Sequence, residues 1–165
     1  ERLLSYPVIP ESIIIGDILA GAIFGLGISL IIWIVSTLFI QVHIINPALF
    51  LFTFVLGTIA CSSLGALLAS PASNSPPNVM IFSNLIRFPL IFISGIFIPL
   101  SQMQGLSLAL ASCSPLTYVV DLFNAAISGG SFFSPLLDGG VLIAATVLFI
   151  LLARFIQVRN LVKGL

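Results

Sequence analysis

The sequence predicts an all-α, polytopic membrane protein, and three observations carry that reading. Of 165 residues, 59% are hydrophobic and only 6% are charged, with a mean hydropathy of +1.29. A soluble domain keeps about a quarter of its residues charged, so this chain is too apolar to fold in water. Its apolar residues also fall into runs of roughly 20, the length a helix needs to cross a bilayer. Lipid cannot satisfy an open strand edge, so each run must be a helix.

Four runs qualify. Residues 18–40 and 47–69 are entirely uncharged, 79–100 is interrupted by Arg87 and Pro89, and 136–156 has Asp138 at its start and Arg154 near its end. The turn at 41–46 is short, which makes the first two spans antiparallel neighbours. The connection 70–78 is rich in proline and serine, which break helices and favour a wet loop. The segment 101–135 is long yet apolar. Within it, 106–112 and 116–127 are each too short to span and predict a re-entrant or interfacial helix pair. Ser114-Pro115 is a helix start signal, and Gly129-Gly130 ends the second piece.

Direction follows from lysine and arginine, which stay on the cytoplasmic side. Arg2 lies at one end, Arg154, Arg159 and Lys163 at the other, and neither 41–46 nor 101–135 holds a lysine or arginine. Both ends are therefore expected in the cytoplasm, with 101–135 outside and 157–165 as a cytoplasmic tail. The chain opens Glu1-Arg2-Leu3-Leu4 without methionine or leader pattern, and reads as a fragment whose upstream part is missing.

Composition also excludes function classes. Net charge is zero and no basic stripe exists to neutralise phosphates, so nucleic acid is not an expected partner. No GxxxxGK[ST], HExxH, CxxC or GxSxG run is present. The single histidine, His43, has no second histidine to share a metal, and reads as an interfacial loop residue. Cys61 and Cys113 are expected as two free thiols.

The few charged residues each admit two readings. Glu11 and Asp17 suit the positive end of a helix dipole at the start of span one, or a partner contact. Tyr118, Asp121 and Asn124 are spaced by three and share a helix face, which lines a polar exit or gate with Pro115 or else forms a solvated edge. Asp138 marks the outer membrane boundary. Arg87 either snorkels to the inner headgroups or serves function within the span. Small residues recur at intervals of four: Gly21 and Gly25 on span one, then Gly57, Cys61, Gly65 and Ala69 on span two. Such stripes let helices approach closely, within the subunit or across a dimer. Nothing polar is expected to converge on them. Nor do spans one and two hold an ionisable residue for a proton relay.

Three stretches together resemble the ABC-2 type permeases, the six-span exporter subunits that pair with a separate ATPase. The first is Arg2-Leu3-Leu4-Ser5-Tyr6-Pro7-Val8 followed by Glu11-Ser12-Ile13-Ile14-Ile15-Gly16, similar to the family's cytoplasmic segment between its second and third spans. The second, Phe88-Pro89-Leu90-Ile91-Phe92-Ile93-Ser94-Gly95-Ile96-Phe97-Ile98-Pro99-Leu100, resembles its fifth span. The third, Ser114-Pro115-Leu116-Thr117-Tyr118-Val119-Val120-Asp121, resembles its outer re-entrant helices. Met103-Gln104-Gly105 and the surroundings of Asn124 depart from the family pattern. The resemblance implies spans three to six of a partial transmembrane domain over 1–165, with 1–15 as a cytoplasmic coupling segment. It further implies an exporter permease of the plasma membrane that dimerises with a second permease copy. ATP and Mg would be bound by a partner ABC ATPase, so no cofactor and no catalytic residue is expected on this chain. Arg2, Leu3, Leu4, Tyr6 and Pro7 would match the coupling helix. A non-transporting membrane scaffold and an ion-coupled carrier remain the alternatives.

Overall fold

The computed structural model describes residues 10–40, 43–70 and 76–163. The described residues form six α-helices and no strand: α1 (Pro10–Ile40), α2 (Pro47–Ala69), α3 (Pro76–Ile93), α4 (Leu106–Ser112), α5 (Pro115–Ser128) and α6 (Pro135–Lys163), with a single 3-10 turn at Leu100–Gln102. Three of them are long and apolar enough to cross a membrane, over Ile14–Ile40, Pro47–Ala69 and Pro135–Arg159. A fourth is added if the bent pair α4–α5 crosses as one broken span. The outward faces are apolar, as lipid requires, with Phe24, Leu38 and Phe39 on α1 and Leu151 and Phe155 on α6 all exposed.

Helix α2 is the centre of the bundle, packed against α1, α5 and α6. Its start is fixed locally: the Asn46 side chain accepts the Leu49 amide at 3.1 Å, and Pro47 occupies the first turn. The core around it joins Ala60 of α2, Tyr118 and Leu122 of α5 and Leu142 of α6. A second cluster joins Ile14 and Ile18 of α1 to Ala153 of α6.

The third predicted span differs from expectation. The run 79–100 is not one helix, because α3 stops at Ile93 and a bent stretch follows to the 3-10 turn. Its apolar part, Val79–Ile93, falls short of a full crossing. Two residues end it. Gly95 takes a left-handed φ of 91°, and Pro99 has no amide to offer the Gly95 carbonyl one turn back. Ser94 closes the last turn by donating its hydroxyl to the Ile91 carbonyl at 2.7 Å. Further on, α4 and α5 meet at 87°, and α5 ends on Gly129 at a left-handed φ of 73°.

Candidate functional site

The small-residue stripes do not simply seal one helix to another. They leave room for a cavity of about 660 Å³ between α1, α2, α3 and α5. Gly21 and Gly25 line it from α1, and Gly57, Cys61, Gly65 and Ala69 from α2. Leu90, Leu116, Val119 and Phe123 supply apolar wall from α3 and α5. The stripes still carry close contacts at its edges. A Cβ on Gly21 would collide with the Ser62 hydroxyl, and one on Gly57 would lie 3.1 Å from a Val119 methyl. Ser62 donates to the Ile18 carbonyl at 2.7 Å, stitching α2 to α1.

Contrary to expectation, charge does converge here. Arg87 and Asp17 both line the cavity. Helix side chains lean toward their N-terminus, so Arg87 reaches back until its guanidinium lies 3.1 Å from where a Gly65 Cβ would stand. Asp17 sits two turns into α1 rather than at its tip, beyond the first turn over which the helix dipole acts. Sequence reasoning treated these two charges separately. The signal that joins them is positional: Asp17 and Gly65 are on adjacent turns of an antiparallel pair, and Arg87 belongs to the next helix.

The proposed gate residues divide. Tyr118 and Asp121 are buried, whereas Asn124 is exposed. Three residues step about 60° around a helix, so the third member has rotated some 120° from the first and leaves the shared face. Asp121 is buried and is not a solvated edge. Its carboxyl oxygens accept the Phe132 amide at 2.8 and 3.0 Å and the Phe133 amide at 2.7 Å, which ties the α5–α6 loop to α5. The Tyr118 hydroxyl donates to the Ser112 carbonyl and Thr117 to the Ala111 carbonyl, both at 2.6 Å. These carbonyls belong to the last turn of α4, where the helix supplies few partners; the Ala111 carbonyl also accepts the Ser114 amide at 2.9 Å, and the side chains of α5 add to the lock on the elbow. Pro115 occupies the first turn of α5 with Ser114 at the cap, but the Ser114 hydroxyl makes no capping bond. Asp138, expected at the outer membrane boundary, sits in the first turn of α6. It is fully buried beside Asp121, and both its oxygens lack a hydrogen-bond partner among the described residues.

Arg2, Leu3, Leu4, Tyr6 and Pro7 lie outside the described residues. Cys61 and Cys113 are free thiols. No group of three or more histidine, cysteine or acidic residues is placed to hold a metal among the described residues.

The profile of the ABC-2 type transporter family matches residues 1–128. The chain belongs to that family. As an ABC-2 type transporter it is a multi-pass membrane protein and a component of ABC-type transport. The matched region runs from the segment before α1 through both helices of the elbow, so it includes the whole cavity. No curated protein and no solved structure matches the chain.

Proposed function

We propose that this ABC-2 type transporter is the permease subunit of an ATP-driven exporter. The observation that carries the reading is the family match over 1–128, which includes the Arg2–Pro7 stretch as well as α1 to α5. In this reading Arg2, Leu3, Leu4, Tyr6 and Pro7 seat in an ABC ATPase subunit. ATP and Mg bind that partner, and the permease itself catalyses nothing. Two permease copies form the pathway, and substrate leaves past the α4–α5 elbow. Both ends of the chain face the cytoplasm of a cell membrane, as the distribution of Arg2, Arg154, Arg159 and Lys163 favours.

Affinity purification of the full-length protein in mild detergent tests this. An ABC ATPase subunit is expected to co-purify, and charge reversal at Arg2 together with Pro7→Ala is expected to release it. Absence of any ATPase under conditions that keep the permease folded overturns the exporter reading in favour of a membrane scaffold.

A further inference from the structure

The cavity between α1, α2, α3 and α5 is charged at one end and largely apolar toward the other, where Ser29 is the polar residue of the wall. Its polar end carries Arg87 and Asp17, at the level where α1 starts and α2 finishes. Both are exposed, and neither makes an ion pair or hydrogen bond among the described residues. A guanidinium has five donors and no means of losing its charge, so in a membrane it needs an anionic partner or water. Asp17 shares the cavity without pairing with it, so the site offers one cation and one anion separately. The neighbouring polar groups are already occupied: Ser62 donates to Ile18, and Thr58 to Phe54 and Val55. Leu90, Ile91, Leu116, Val119 and Phe123 continue away from this end as an apolar wall.

We infer that this cavity seats a membrane phospholipid with an amine-bearing zwitterionic head, phosphate on Arg87 and ammonium at Asp17, one acyl chain lying along Leu90, Leu116 and Phe123. Charge complementarity selects the occupant. A purely anionic head satisfies Arg87 but is repelled by Asp17. A choline head carries a charge but no N–H to donate to the Asp17 carboxylate. Arginine binds phosphate with paired charge-assisted hydrogen bonds, and basic pockets between spans are known to hold lipid heads. The small residues of α1 and α2 then have a role beyond packing: larger side chains at Gly25, Cys61 or Gly65 would fill the space the lipid needs. This inference does not depend on an ATPase partner.

The test uses the full-length protein, delipidated in detergent and offered equal amounts of phosphatidylethanolamine, phosphatidylcholine and phosphatidylglycerol with the same acyl chains. Native mass spectrometry reads the lipid retained. Wild type is expected to keep phosphatidylethanolamine about tenfold over either competitor, the ratio one good charge-assisted contact supplies. Arg87→Gln is expected to lose retention of all three. Asp17→Asn is expected to keep binding but to shift its preference to phosphatidylglycerol. Equal retention of the three lipids by wild type, or unchanged retention by Arg87→Gln, overturns the proposal.

A second measurement needs no change at the charged residues. In a Cys113→Ser background, Cys61 in the cavity wall is alkylated with a small maleimide in nanodiscs. Phosphatidylethanolamine is expected to slow the reaction about tenfold relative to phosphatidylcholine. Equal rates overturn the proposal. So does a Cys61 that stays unreactive even after delipidation, because protein then covers the cavity.

Discussion

Asp121 and Asp138 lie side by side at the α5–α6 junction, and their surroundings assign them opposite effects on stability. Asp121 accepts three short amide contacts from Phe132 and Phe133. Asp138 is equally buried, and neither of its oxygens meets a hydrogen-bond partner in good geometry among the described residues. A hydrogen bond to a charged group contributes about 1.5–3 kcal/mol, and an orphaned buried polar group costs a comparable amount. Asp121→Asn replaces one acceptor with a donor aimed at amides, so it is expected to destabilise by about 2 kcal/mol. Asp138→Asn removes a like charge beside Asp121 and supplies an N–H that Asp121 can accept. It is expected to be neutral or stabilising. Thermal unfolding of the two full-length variants in detergent decides between this assignment and a shared functional role, which predicts loss of stability in neither. Neither role was legible in the sequence. Spacing by three placed Tyr118, Asp121 and Asn124 on one face, but which way that face turned depended on residues 131–133, a loop with no periodicity to read.

At the scale of the elements, the glycines separate into those that pack and those that do not. A Cβ on Gly21 would strike the hydroxyl of Ser62, whereas one on Gly27 would meet nothing within 4 Å. Both are interior to the same helix, so intrinsic propensity treats them alike. Gly21→Ala must push Ser62 off the Ile18 carbonyl and is expected to cost about 1 kcal/mol through the lost hydrogen bond. Gly27→Ala is expected to be neutral or slightly stabilising. The pair of melting temperatures checks this, and equal shifts would contradict the α1–α2 contact. The stripes that contain Gly21 were readable from four-residue spacing; the cavity they border was not, because it needs α3 and α5 from distant sequence. The end of α3 was readable and was outweighed. Past Arg87 the apolar run continues to Leu100, while Ser94-Gly95 and Pro99 mark the stop. In contrast α4 and α5 lie where the Ser114-Pro115 and Gly129-Gly130 signals put them, since there the turn residues and the apolar runs agree.

For the whole molecule, the contacts decide how the chain passes through the elbow. The amides of Ile45 and Asn46, at the start of α2, donate to the Ala126 carbonyl near the end of α5, each at 3.0 Å. Phe133, just after α5, packs on Tyr118 and also on the cluster of Leu100, Met103 and Ala111 that precedes it. The chain therefore enters the elbow at Leu100–Met103 and leaves it at Phe133 at the same end of the bundle, the end where α2 begins. That is the path expected of a re-entrant pair rather than of a broken span, between which length and composition alone do not choose. The crossing between α2 and the elbow then falls to α3 and the bent stretch after it, which restores an odd number of passes between Ala69 and Pro135. Single cysteines at His43, Gln104, Ser131 and Val158, all exposed, test the path in a background with Cys61 and Cys113 changed to serine. A membrane-impermeant maleimide applied to one face of sealed vesicles is expected to label His43→Cys, Gln104→Cys and Ser131→Cys together, and Val158→Cys only from the opposite face. Labelling of Gln104→Cys and Ser131→Cys from opposite faces would mean that α4–α5 crosses the bilayer.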